Sequence, residues 1–292
     1  MTLRWNGKPF DWVNVAYFGA LHVGALFAPW TFTWTGLGAA VLLWWVAGSL
    51  GIGLAYHRLL THRGYRVPKP LEYLLTVCGM LASEGGAISW VAMHRMHHTL
   101  SDREGKDLHT PKDGFWWSHI GWILCKVGYD YREIERRHAP ELVADPVHRV
   151  LNRLHILPNV LVGLALFAWG GWSLVVWGVF VRLLVVLHTT WFVNSASHTW
   201  GYRTYDTPEG STNLWWVGLL AWGEGWHNNH HAFQRSARHG HEWWEVDLNW
   251  MAIRTLMALG LATEVQLLPA GAERFRLDRR APGASVPAET AA

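Results

Sequence analysis

Residues 36–56, GLGAAVLLWWVAGSLGIGLAY, run without a charge and end directly on His57-Arg58-Leu59-Leu60-Thr61-His62. At about 1.5 Å of rise per helical residue, this stretch covers a hydrocarbon core of about 30 Å and leaves both histidines at one membrane face. Three further apolar stretches, at about 13–30, 156–171 and 173–193, complete the set. Thr31 to Thr35 joins the first to the second, and Gly170-Gly171-Trp172 joins the third to the fourth. The expected fold is all-α: an integral membrane protein with four transmembrane helices in two hairpins and a cytoplasmic helical cap. Residues 1–269 form this one domain, and residues 270–292, rich in Ala, Pro, Gly and Arg, read as a disordered tail.

Composition agrees. Half of the 292 residues are apolar, 16% are charged and 22 are Trp, which excludes a disordered or collagenous chain. It suits a protein whose solvent is partly hydrocarbon, because indole rings settle at the headgroup level and charges are costly deeper in. The 25 Lys+Arg against 22 Asp+Glu form no basic run interleaved with aromatics, so nucleic acid is not an expected partner. Cys78 and Cys125 form no CxxC pair and read as buried free thiols. The opening residues, MTLRWNGKPFDW, show no cleavable signal, so the first span is expected to be retained.

Two Lys+Arg precede the first span, fourteen lie between Arg58 and Arg153, eight follow the fourth span, and Arg182 sits inside it. The positive-inside rule therefore places both termini and the long middle region on the cytoplasmic side, as in a bacterial inner membrane. Residues 71–93 are also fairly apolar, but Glu72 and Glu84 interrupt them. Crossing the membrane there would separate the histidines on either side, so an interfacial helix or broken hairpin is expected.

The 18 histidines cluster. His94-x2-His97-His98 and His227-x2-His230-His231 repeat one pattern, which a chain of this composition would show by chance about 0.07 times. Spacings of three and four bring side chains to one helix face, so each motif aims two or three imidazoles at one point. Eight or nine imidazoles exceed what one tetrahedral zinc takes, and no Cys accompanies them, so two metals are implied and a structural zinc or iron–sulfur site is not. Beneath apolar helices, iron with dioxygen suits oxidation of an alkyl chain. His22 and His188 stand singly within spans and are expected to hydrogen-bond, and Arg182 to take a polar or functional contact. His109, His119, His138, His148, His155, His239 and His241 read as cap or surface residues, and Glu224 as an orienter of an imidazole.

These motifs, with Asn194-x3-His198, DLHTPKDGFWWSHIGW (107–122) and GEGWHNNHHAFQRSARHG (223–240), resemble the membrane acyl-CoA delta-9 fatty acid desaturases, above all the plant and bacterial type. The resemblance runs from about Ala55 to Pro269. It implies a di-iron centre ligated by His57, His62, His94, His97, His98, His198, His227, His230 and His231, with Asn194 contacting a metal through water and Trp90 beside the substrate tunnel. It also implies dioxygen-dependent formation of a cis double bond in a long-chain acyl group, with electrons from a separate ferredoxin or cytochrome b5 type donor and its reductase. The Arg-Asp pair that precedes the second histidine motif in animal members is Ala92-Met93 here, and a later basic pair is Lys126-Val127. CoA is the carrier the resemblance implies, with a carrier protein or an intact glycerolipid as alternatives. A hydroxylase on the same scaffold is the nearest rival activity. A histidine-rich metal transporter is remote, because the spans offer only Arg182, His188 and His22 as polar lining.

Overall fold

A computed structural model describes residues 3–278. A short antiparallel ladder, β1 (Arg4–Trp5) with β2 (Lys8–Pro9), leads into α1 (Trp12–Ala25). The Asp11 carboxylate caps α1 by accepting from the amides of Val13 and Asn14. The 14 residues of α1 reach only about 21 Å. This helix stops short of residue 30, where the first span was expected to end: Pro29 cannot extend the helix, and the chain turns through Ala28–Thr31.

Next come α2 (Trp34–Thr61), α3 (Lys69–Met80), α4 (Ala87–Leu100), α5 (Tyr131–His138), α6 (Pro146–Arg153), α7 (Leu157–His198), α8 (His227–Ala232) and α9 (Leu248–Ala258). Among the described residues, α2 and α7 are the two helices long and apolar enough to cross a membrane. α7 is bent rather than straight: Gly170 and Gly171 leave the helical conformation, and Gly171 has a φ of 63°, which glycine adopts at little cost. The bend divides α7 into limbs 157–169 and 172–198, so the third expected span, 156–171, is also shortened.

The bend lies against the α1–α2 turn, where Thr33 Oγ1 and Ser173 Oγ are 2.9 Å apart and Ser173 Oγ donates to the Thr31 carbonyl at 2.7 Å. Trp30, Trp34, Trp169 and Trp172 are all exposed around this end of the molecule. At the opposite end, α3 and α4 form the expected broken hairpin. Its turn is tight, with left-handed φ at Ser83 (60°) and Gly85 (98°). α2 lies so close to α3 that a Cβ on Gly51 would come within 2.5 Å of the Cys78 backbone. Ala47, Leu54, Ala55, Tyr56, Val91 and Ala92 fill this junction.

Order extends beyond the expected domain limit at 269. Residues Ala272–Phe275 form a turn of helix, and Ala272 and Phe275 pack on Tyr205 and Phe233. The tail reading fails for residues 270–278 because two apolar side chains three apart suffice to dock the segment, although they are too few to make a visible period. Residues 279–292 lie outside the described residues.

Candidate metal centre

The end of α2 is wound as a π-helix over Trp45–Thr61, and the His62 amide donates to the His57 carbonyl at 3.1 Å. A bond to the fifth residue back brings positions five apart together, whereas 3.6 residues per turn would set them on different faces. The His57 and His62 ring centroids are therefore only 4.8 Å apart.

On α4, His94 and His98 face each other with their Nε2 atoms 3.0 Å apart. On α8, His227 and His231 do the same at 3.0 Å. Each four-residue pair leaves one histidine of its motif, His97 or His230, to turn toward the other side. Each HxxHH motif thus feeds two clusters.

One cluster holds His57, His62, His94, His98 and His230, and the other holds His97, His198, His227 and His231. Within each, the ligand nitrogens lie within 4.8 Å of one another. His230 links to His57 and to His98 at 3.1 Å, and His198 to His227 at 3.1 Å. The structure brings together all nine histidines singled out by sequence and divides them five to four.

Acidic groups stand behind several rings. Glu224 Oε2 is 2.5 Å from His57 Nδ1, Asp107 accepts from His97 Nδ1 at 3.1 Å, Asp102 from His198 Nδ1 at 2.8 Å, and Glu209 lies 3.5 Å from His231 Nδ1. A carboxylate at Nδ1 accepts a hydrogen bond from the Nδ1–H, which keeps the proton on that nitrogen and leaves the Nε2 lone pair directed into the cluster. Facing lone pairs repel unless a cation lies between them. His62 and His97 show the same demand, since their buried Nε2 atoms have no hydrogen-bond partner. The donor sets fit two metal ions.

Burial, and then the neighbouring imidazoles, hold His62, His94, His98, His227 and His230 well below the usual imidazole range, so they stay in the neutral, ligating form. Burial pushes the carboxyls of Asp102, Asp107 and Glu209 up, but the histidines facing them outweigh it and hold all three below the usual range. Glu224 behaves alike, with Arg58 the strongest of the groups that lower it. Arg58 is fully buried between Glu224 (2.8 Å) and Asp247 (2.9 Å). Asn249 Nδ2 donates to Glu224 Oε1 at 2.7 Å, and Ser49 holds Asn249 in turn. Glu224 thus stands where an imidazole orienter was expected, whereas Arg58, Asp102, Asp107 and Glu209 were not anticipated. Their only sequence signal is a charged residue close to a histidine motif, and surface residues share it.

A cavity of about 1030 Å³ reaches the clusters at His57, His94 and His227. Asn194 lines it, as does Trp90, whose indole stacks on His94 with centroids 4.9 Å apart and planes 17° apart. Trp90 Nε1 donates to Glu84 Oε2 at 3.0 Å. Glu84 is set into the cavity by the left-handed turn at Ser83, and burial pushes its carboxyl up to about 7.

Four histidines read as cap or surface residues are instead buried: His109, His119, His148 and His239. His239 Nδ1 lies 3.3 Å from Glu224, and the His109 ring lies 4.3 Å from that of His97. His119 bonds to His188 at 2.9 Å and His188 to His22 at 3.3 Å, the hydrogen-bonding role expected of the latter two. His148 meets Glu72 at 2.9 Å. His138, His155 and His241 are half-buried. Arg182 is buried and donates to the carbonyls of Gly178 and Leu81 and to Asn159 Oδ1, a polar interior contact.

A mainly helical chain with apolar helices leading into two histidine clusters able to hold metal ions belongs to a class of membrane-associated proteins. Residues 28–266 match the fatty acid desaturase family. The chain is 53% identical to an sn-1 stearoyl-lipid 9-desaturase of Anabaena variabilis, over 91% of this chain and 98% of that protein. It is 46% identical to an sn-2 palmitoyl-lipid 9-desaturase of Nostoc sp., over 91% and 94%, and 43% identical to an icosanoyl-CoA 5-desaturase of Limnanthes douglasii, over 94% and 76%. The chain belongs to the fatty acid desaturase family and is an oxidoreductase acting on fatty acyl groups.

Proposed function

We propose that the two clusters hold two iron ions and that the chain introduces a cis double bond at position 9 of a saturated acyl chain esterified to a membrane glycerolipid. Dioxygen is the oxidant, and a separate ferredoxin or cytochrome b5 type protein with its reductase supplies electrons. The observation that carries this reading is the five-to-four division of nine imidazoles at the head of one long cavity. The glycerolipid replaces CoA as carrier for two reasons. Ala92, Met93 and a lone Lys126 stand where basic or charged pairs would meet a CoA head, and two of the relatives above are named for lipid-bound acyl groups.

In the bilayer, α1 with α2 and the two limbs of α7 form two hairpins. The paired turns with Trp30, Trp34, Trp169 and Trp172 lie at one headgroup level, and the histidine end and both termini lie on the cytoplasmic side of a bacterial inner membrane. Slight tilt or local thinning accommodates the shorter α1 and first limb of α7.

Bound iron with dioxygen supplies an oxidant strong enough to take one hydrogen from each of two adjacent methylenes, the oxygen leaving as water. The residues of the chain do the positioning. Trp90, fixed by Glu84 and stacked on His94, forms a rigid wall that sets which carbons lie against the clusters. The apolar lining keeps bulk water from the oxidant. Glu224, Asp102, Asp107 and Glu209 hold their imidazoles in one orientation and tautomer, and Asn194, which lines the cavity, would hold a water beside the metals.

Expression with an electron donor in a host lacking unsaturated acids tests this. The wild type should yield lipids lighter by two hydrogens, and His97→Ala none. Lipids heavier by one oxygen would make the chain a hydroxylase, and unchanged lipids would overturn the proposal.

A further inference from the structure

The cavity that starts at the histidines is lined by exposed side chains in two regions, each a candidate exit. One is polar, beside Asp11, Lys126, Tyr129 and Tyr131. The other is lateral. Asn14, Tyr17 and Leu21 follow one another at three and four residues, share one face of α1, and line the cavity. Ile156, Val160 and Leu164, four apart at the start of α7, line it from the other side. Several of these lining residues are also outer surface: Val13 is 78% exposed, Ile156 60%, Val160 49% and Leu164 62%. A side chain that is both lining and surface marks a place where only that side chain separates the cavity from the outside. The surrounding surface is apolar, with Leu157, Leu161 and Phe167 exposed beside it. An apolar patch of this kind in a membrane-embedded helix pair is bathed in acyl chains rather than water.

One polar tie crosses this side. Tyr17 Oη lies 2.5 Å from Ser83 Oγ, joining α1 to the turn that carries Glu84. At the polar exit, Lys126 is the one lysine or arginine among the described residues lining the cavity. A single ammonium suits one phosphate or a hydroxyl-rich head better than the several phosphates of CoA.

The geometry points to a lateral entrance between α1 and the first limb of α7, through which an acyl chain still esterified to a membrane glycerolipid slides from the bilayer to the histidines. The glycerol head stays at the interface near Asp11, Asn14 and Lys126. This rests on the desaturase reading and adds the route and the physical form of the substrate. A water-soluble acyl carrier would use the polar exit and leave the lateral one idle.

Val160→Trp and Gly163→Trp plug the entrance. Gly163→Ala is the control, since a Cβ there meets only Val179 Cγ2 at 3.6 Å, an ordinary contact. The full-length, iron-loaded protein in stearoyl-phosphatidylglycerol vesicles, supplied with dioxygen and a reduced ferredoxin, is assayed for desaturation, iron content and photo-crosslinking to the same lipid carrying a diazirine near the end of its stearoyl chain. Ile52 lines the cavity and is only 5% exposed, so lipid merely surrounding the protein does not reach it.

The wild type and Gly163→Ala should form adducts at Ile52. Both Trp variants should lose these adducts and slow desaturation at least tenfold while keeping their iron. Equal rates and adducts in plugged and wild-type protein would overturn the entrance, as would adducts confined to Val13 and Ile156. A wild type that desaturates stearoyl-CoA but shows no lipid adduct at Ile52 would also overturn it while leaving the desaturase intact. A wild type that desaturates neither substrate but carries the Ile52 adduct would support the entrance and sink only the proposed reaction.

Discussion

The five-imidazole and four-imidazole clusters draw on the same two HxxHH motifs, yet they differ in what stands behind the rings. The larger is backed by Glu224 on His57, and the buried Arg58 already neutralises that carboxylate. The smaller has three carboxylates, Asp107, Asp102 and Glu209, behind three of its four rings. A carboxylate at Nδ1 makes an imidazole a stronger donor. The smaller pocket therefore offsets a missing ring with anionic charge, and the two positions would treat their ions differently.

The largest expected effect comes from deleting a ring where there is none to spare. His227→Ala leaves three imidazoles in the smaller cluster and should release one iron per chain and abolish turnover. His94→Ala leaves four in the larger cluster and should retain more metal. Metal analysis of the two variants side by side checks this, and equal retention would remove the distinction between the pockets.

Next is Glu224→Gln, which strips a carboxylate from buried Arg58 and should lower unfolding free energy toward the lower end of the about 3–5 kcal/mol for a broken buried pair, since Asp247 still faces the guanidinium. Chemical denaturation of the iron-free protein reads it. Asp102→Asn should reduce metal affinity or activity by about 10–100-fold, mainly at the smaller cluster, as competition with a chelator would show.

Acid should unfold the iron-free protein in two stages. His62, His94, His98, His227 and His230 titrate lower when folded, so the unfolded chain binds more protons below about pH 6.5 and stability falls with pH from there. Asp102, Asp107, Glu209 and Glu224 are also depressed, so the stability they contribute above about pH 4 is lost as the pH drops further. A denaturation series from pH 7 to pH 3 would reveal a flat profile if the rings were exposed.

The smallest effect belongs to Glu84→Gln. Because burial raises the folded carboxyl from 4.5 to about 7, the protein binds the extra proton and Glu84 costs stability as pH rises across that interval. The Gln variant should keep the Trp90 bond and lose that slope, changing turnover only a few-fold near neutrality.

Much of the site was legible because its signals are local. HxxHH spacing puts rings on one helix face whatever the fold around it, and apolar stretches announce α2 and α7 wherever they pack. The limits of α1 were harder to read, since Val13 to Trp30 carries no Lys, Arg, Asp or Glu and only Pro29 marks where the helix ends. Of the acidic partners only Glu224 was anticipated, and which ring each carboxylate meets was not legible. Asp102 reaches His198 across 96 residues and Glu224 reaches His57 across 167, and nothing in a single sequence distinguishes such carboxylates from those on the surface. His109 and His239 were misplaced for the same reason.

Sequence alone determined the inventory: nine histidines in spacings that converge, apolar helices to carry them, and a shortage of charge that suits lipid. These follow from composition and helical period, which act within a few turns of chain. Tertiary structure alone decided the five-to-four division, the π-turn that lets positions five apart meet, the unequal charge behind the two pockets and the cavity that α1 and α7 line together. Those depend on which distant helices touch, and contact energies between them are set by packing that no local pattern encodes.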